Sequence, residues 1–199
     1  MSTSDDLYAR YGPIYRWLVT TAALLAFFVM VFASSMVNVA IPNVMGTFGV
    51  GQDKAQFLTS AFLATTVASL LANTWLIARF GQPIIFQACI IIFVIGSFIS
   101  TFSPTLDMIV FGRIVQGFGA GVIQPLIMVL LFDIFPADKR GIAMGFFSMG
   151  VGFALGLAPA LGGVVIDLLG WRYVFLIPIP VALLSLVLGV FFIPERKSR

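Results

Sequence analysis

The chain has no histidine, a single cysteine and few charges: only 10% of its 199 residues are Asp, Glu, Lys or Arg. Each shortage excludes something. Without histidine there is no imidazole to relay protons or ligate a metal, and no other residue cluster implies a metal or cofactor. One cysteine, Cys89, cannot close a disulfide within the chain. A soluble domain carries roughly 25% charged residues, so an ordinary soluble fold is not expected. Long polar connections are missing too, which leaves no room for a soluble catalytic domain. With no carboxylate pair and no activated nucleophile, an enzyme is not expected.

What is present is apolar sequence: 60% of the residues are hydrophobic and the mean hydropathy is +1.10. No charge falls between Arg16 and Asp53, Lys54 and Arg79, Arg79 and Asp107, Arg140 and Asp167, or Arg172 and Glu195. A sixth stretch, Asp107 to Asp133, is broken only by Arg113. About 20 apolar residues cross the hydrocarbon core, and every interval passes that length. Backbone in lipid must satisfy its own hydrogen bonds, so the choice is helices or a closed barrel. Runs such as Ile90 to Val94 do not alternate apolar with polar, which excludes the barrel. The expected architecture is an all-α membrane protein of six transmembrane helices at about 17–42, 56–77, 84–103, 107–131, 142–166 and 173–193. Residues 1–16 are expected to be a cytoplasmic tail, 17–193 the transmembrane domain, and 194–199 a second cytoplasmic tail or the start of a linker.

Orientation follows from the basic residues. With the N-terminus in the cytoplasm, Arg10, Arg16, Arg79, Lys139, Arg140, Arg196, Lys197 and Arg199 lie inside, and only Lys54 and Arg172 lie outside. This positive-inside bias places both termini in the cytoplasm, in a multi-pass protein of the plasma (inner) membrane. The net charge of +3 is accounted for by this topology and calls for lipid, not nucleic acid, as partner.

A shift of 89 residues places Gly81 on Gly170 and Phe86 on Phe175. One segment would join helices 2 and 3 inside, the other helices 5 and 6 outside, which is the signature of a 3+3 inverted repeat. Apolar segments also resemble each other by composition alone. Small residues four apart (Gly117/Gly121 on helix 4, Gly152/Gly156 on helix 5) allow close helix approach. On helix 5, Gly162, Gly163 and Pro159 add the expectation of a gating or bending element.

The polar residues of helix 4 share a face. At roughly 100° per residue, Arg113, Gln116 and Gln124 fall on a stripe about 80° wide. Such a stripe should face the bundle interior or a watery cavity; alternatively, Arg113 snorkels outward to Asp107. On helix 1, Ser34 and Asn38 share a stripe, Pro42 ends or bends the helix, and Asn73 adds a polar group to helix 2. Arg113, Gln116, Asn38 and Gln124 are the candidate substrate or proton pathway.

Several of these segments resemble the major facilitator superfamily. Arg113-Ile-Val-Gln-Gly-Phe-Gly-Ala-Gly121 is similar to its fourth-helix motif, and residues 150–163 to its fifth-helix antiporter motif. Val37-Asn38-Val39-Ala40-Ile41-Pro42 and Trp171-Arg172-Tyr173-Val174-Phe175 resemble signatures of the fourteen-helix drug:proton antiporter subgroup. The resemblance implies the N-terminal six-helix half of a transporter that exports amphipathic small molecules by alternating access, with Arg113 in proton coupling. It also departs from the pattern. Ala33 stands where the subgroup has aspartate. In the loop between helices 2 and 3, where Arg79 and Gly81 match, Ala78 replaces the motif aspartate and Gln82 its final basic residue; Ala158 replaces a glycine. Arg113 therefore lacks its expected acidic company, which leaves proton coupling open. The partner could be a second six-helix half, either a second copy or a separate or missing C-terminal half of which this chain is a fragment, or the substrate itself could be the anion. The other reading from the sequence is a non-transporting accessory membrane subunit.

Overall fold

The computed structural model describes Gly12 and residues 14–193; of the expected tails at 1–16 and 194–199, residues 1–11, 13 and 194–199 lie outside the described residues, and Ile14 to Arg16 belong to the first helix. The described residues are helical, with no strand among them. The six long helices are α1 (Ile14–Phe48), α2 (Phe57–Phe80), α3 (Gln82–Thr101), α4 (Leu106–Ile134), α5 (Arg140–Leu169) and α6 (Pro178–Phe192). A one-turn helix, Gln52–Ala55, leads into α2, and 3-10 turns at Ala137–Lys139 and Trp171–Phe175 precede α5 and α6. With the short turns that precede them joined to α2, α5 and α6, all six spans are long and apolar enough to cross a membrane.

Proline lies inside three of these helices. Pro42 lies inside α1, which continues to Phe48 rather than ending there; Pro125 and Pro159 likewise sit inside α4 and α5. Proline forfeits its own ladder bond, but packing against neighbours sustains the helix on either side, as is common in membrane spans. The start of the sixth span also differs from expectation, because Trp171–Phe175 form a 3-10 turn and the α-helix begins at Pro178.

The helices are embraced across the middle of the chain. α4 packs against α2 and α3, α1 packs against α5 and α6, and the two groups meet through α1–α4 and α3–α6. Two apolar clusters fill the bundle. One gathers Tyr15, Val19, Phe86, Phe93, Ile123 and Leu130; the other gathers Met36, Val44, Leu58, Ile109, Trp171 and Phe175.

Close approach along α4 depends on missing side chains. A Cβ at Gly117 would lie 2.5 Å from the Phe62 carbonyl oxygen of α2, and one at Gly119 would lie 2.5 Å from the Cys89 carbonyl oxygen of α3. Gly121 would meet Thr66 and Ser69 in the same way. α4 is thus wedged backbone-to-backbone between two helices, the packing that small residues permit in lipid. The α5 glycines behave otherwise. Gly162 meets Met36 of α1, but Gly141, Gly145, Gly150, Gly152, Gly156 and Gly163 have nothing within 4 Å of a built Cβ. Gly152 and Gly156 therefore meet nothing within these helices, and their stripe faces outward.

Side-chain hydrogen bonds fasten the same seams. Asn73 Nδ2 of α2 donates to the Val122 carbonyl of α4 at 2.6 Å. Ser185 Oγ of α6 donates to the Ala22 carbonyl of α1 at 2.8 Å. At one end, Trp171 Nε1 donates to Thr47 Oγ1 at 3.0 Å, and Arg172 Nη2 to the Ser103 carbonyl at 3.2 Å.

Candidate functional site: a buried arginine between three helices

Arg113 is fully buried, one of the largest side chains with no exposed surface. Helix α4 projects it toward α2, where its Nε donates to the Leu58 carbonyl at 3.0 Å. Its Nη1 donates to Gln116 Oε1, one turn along α4, at 2.9 Å. The guanidinium carbon stands 4.1 Å from the centroid of the Phe62 ring. The third nitrogen, Nη2, has no hydrogen-bond partner.

Gln116 is also fully buried. Its Nε2 donates to Ser97 Oγ of α3 at 2.7 Å, and Ser97 Oγ donates to the Phe93 carbonyl at 3.0 Å. One cation therefore sits at the junction of α2, α3 and α4, held by a carbonyl dipole, an amide oxygen and an aromatic face. Removing a charge from water costs several kcal/mol, roughly, unless such groups replace the lost hydration. No carboxylate of the described residues contacts it. What the arrangement can do is receive one more acceptor: a buried N–H of a permanent cation is free, and an anionic oxygen is the strongest partner it could take.

The other residues picked from the sequence lie elsewhere. Asn38 is exposed, and its Oδ1 accepts from Thr59 Oγ1 of α2 at 2.9 Å. Gln124 is exposed although it shares the helical stripe of Arg113. The structure thus unites Arg113 with Gln116 and leaves Asn38 and Gln124 apart from them. The outward snorkel toward Asp107 is not the observed geometry, because Arg113 is bonded to Leu58 and Gln116. Sequence reasoning did not single out Ser97, Phe62 or the Leu58 carbonyl. A polar Ser97 beside Gly96 in an otherwise apolar run was the available signal; the ring and the carbonyl had none.

At the α2–α3 turn, Gly81 has φ +82° and ψ 159°, a backbone that favours glycine. Arg79 is exposed and stacks over the rings of Trp75 and Phe80, at 5.7 and 5.8 Å. Gln82, at the position of a basic residue in the family's loop motif, is buried and donates Nε2 to Asp133 Oδ2 of α4 at 3.0 Å. A neutral amide therefore ties the start of α3 to the end of α4.

These features define a polytopic helical membrane protein with a buried polar node. The sequence model of the Major Facilitator Superfamily matches residues 23–199, and the chain belongs to that family. The multidrug export protein EmrB of Haemophilus influenzae is 32% identical over 181 residues, covering 91% of this chain and 36% of EmrB. The MFS-type transporter YhcA of Bacillus subtilis is 30% identical over 191 residues, covering 96% of this chain and 35% of YhcA. The chain thus spans little more than a third of the length of these relatives. Among solved structures, a bacterial homolog of the human lysosomal transporter Spinster, in an inward-facing and unoccupied conformation, superposes with a TM-score of 0.83. The identity is 20%, over 94% of this chain and 45% of that one. At that identity the likeness establishes the fold.

Proposed function

We propose that the chain is the N-terminal six-helix half of a secondary active transporter. It exports amphipathic small molecules across the plasma membrane by alternating access, with both termini in the cytoplasm and residues 17–193 as the transmembrane domain. The observation that carries this reading is the free Nη2 of Arg113, fully buried and without a carboxylate, in a chain of this family that is similar to a multidrug export protein. An unneutralised cation at membrane depth is costly and marks a pathway. Its missing partner is an acid from a second half or an anionic group of the substrate. If the acid is the partner, forming that pair lowers the carboxyl's pKa and releases its proton, and breaking the pair lets the carboxylate take one up, which couples export to the gradient.

The inverted repeat is supported by the two matched turns. Gly81 and Gly170 have the same unusual backbone, φ +82° and +101° with ψ 159° at both, and each closes a long helix. The matched Phe86 and Phe175 are both buried, at 0% and 1% exposure. The contact pattern has the same symmetry: α4, first of the repeat α4–α6, packs against α2 and α3, and α1, first of the repeat α1–α3, packs against α5 and α6. A second six-helix half, whether another copy or a separate sequence, would cover the open faces of α2 and α5. On α5 that face holds a groove lined by Met149, Gly152, Phe153, Gly156 and Leu157. Gly152, Gly156, Pro159 and Gly163 would then be the surface along which the halves rock, with Arg79, Gly81 and Gln82 at the cytoplasmic end.

The test is efflux of a fluorescent amphipathic dye from proteoliposomes under an imposed pH gradient. It is run with the chain alone and with the remaining part of a relative such as EmrB supplied in trans. Flux that disappears in Arg113→Met supports the reading. No flux in either preparation overturns it.

A further inference from the structure

We propose that Ser97 is a positioning residue for Arg113, acting through Gln116 to set the direction in which the free Nη2 points. The inference deepens the reading of Arg113 as the group that meets an anion, and rests on it for its functional meaning. The geometric part stands on the hydrogen bonds alone.

A glutamine amide has a donor end and an acceptor end, and little in its shape distinguishes them. What decides its orientation here is proton direction. The Phe93 carbonyl can only accept, so the Ser97 hydroxyl spends its one proton there, at 3.0 Å. The lone pairs of Ser97 Oγ then face Gln116 and require a donor, which Nε2 supplies at 2.7 Å. That leaves Oε1 toward Arg113, where it accepts from Nη1 at 2.9 Å. Both neighbours thus demand the same amide orientation. With Nη1 fixed on Gln116 and Nε fixed on Leu58, the planar guanidinium has no torsional freedom left, and Nη2 is presented in a single direction. Ser97, Gln116 and Arg113 are all fully buried, so no water competes for these bonds.

Without the Ser97 oxygen, Nε2 becomes a buried donor with no partner. The amide can then rotate, and a rotated amide would set its NH2 against the cation. Ser97 lies on α3 and the arginine on α4, so the relay also makes the aim of Nη2 depend on the α3–α4 register.

The experiment uses the whole chain, labelled with 15N at arginine, in lipid nanodiscs. It reads the solvent-exchange rate of the Arg113 Nε–H, identified by its absence in Arg113→Lys. Ser97→Ala and the near-isosteric Ser97→Cys, whose thiol is a weak acceptor, should speed exchange about tenfold, the effect of one net hydrogen bond. Ser97→Thr, which keeps the oxygen, should exchange as the unaltered protein does. In a Gln116→Glu background both carboxylate oxygens accept from arginine, so Ser97→Cys should no longer change the rate. Unaltered exchange in both Ser97→Ala and Ser97→Cys overturns the proposal. So does an equal acceleration with and without Gln116→Glu, which is what a packing role would give. Dye efflux is measured separately on the same variants: an exchange effect of the expected pattern without efflux in any sample supports the positioning role and overturns only the transport reading.

Discussion

Glycine 117 offers the sharpest test of how this bundle is held together. A Cβ there would lie 2.5 Å from the Phe62 carbonyl oxygen and 3.2 Å from both the Phe62 carbonyl carbon and Cα. All three are backbone atoms, so no rotamer change relieves the clash and the two helices must move apart. Overpacking of this kind costs about 1–3 kcal/mol, against a gain of about 0.8–1 kcal/mol from alanine's better helix propensity. The net expectation for Gly117→Ala is a loss of about 0–2 kcal/mol, or a fall in Tm of about 0–8 °C for a chain of this size. Gly152 supplies the control, because nothing lies within 4 Å of its built Cβ. Gly152→Ala should keep the propensity gain and raise Tm by about 2–4 °C. Cys89 is a built-in reporter for the assay: it is the only cysteine and is 3% exposed, so a thiol-reactive fluorophore reads its release on melting in detergent. If Gly117→Ala raises the melting temperature as much as Gly152→Ala does, the argument that α4 is wedged backbone-to-backbone against α2 is wrong.

Other substitutions probe the remaining links by the same melt. Arg113→Lys keeps the charge but loses the fork that meets Leu58 and Gln116, and should cost about 2–3 kcal/mol; Arg113→Met removes the buried charge and should cost less. Asn73→Ala breaks the bond to the Val122 carbonyl and should cost about 0.6–1.7 kcal/mol, the range of polar contacts between membrane helices. Gly81→Ala and Gly170→Ala each place a side chain at positive φ and should each cost about 1–3 kcal/mol, the usual strain of that conformation. Trp171→Phe and Thr47→Val should each cost about 1 kcal/mol, and the double variant should cost less than their sum, because they share one bond.

The buried cation shows where reading the sequence succeeded and where it stopped. Arg113 stood out because the cost of a charge in hydrocarbon makes any such residue conspicuous, and its i,i+3 neighbour Gln116 is indeed bonded to it. Gln124 shares the same angular stripe and yet is exposed, because helical periodicity fixes an angle about one axis and says nothing of which neighbour covers that angle at each height. The Leu58 carbonyl and the Phe62 ring could not be foreseen at all. A helical carbonyl carries no mark in the sequence showing that a guanidinium will reach it from another helix.

Glycine spacing was ambiguous for a related reason. Gly117/Gly121 and Gly152/Gly156 are the same pattern in one dimension. The first pair is buried against α2, while the second faces outward. The pattern marks a surface made for close approach, and only the placement of the other helices shows whether something within the chain occupies it.

The sequence by itself determined the solvent and the number of spans. Those follow from a one-dimensional quantity, the length of uncharged runs against the thickness of a bilayer. Tertiary structure alone decided that α4 is clamped between α2 and α3, that the α5 stripe is open, and that Ser97 stands behind Gln116 and Arg113. Those depend on which side chains and carbonyls from distant parts of the chain meet at one depth, where each buried polar group must find its partner because no water is present to supply one.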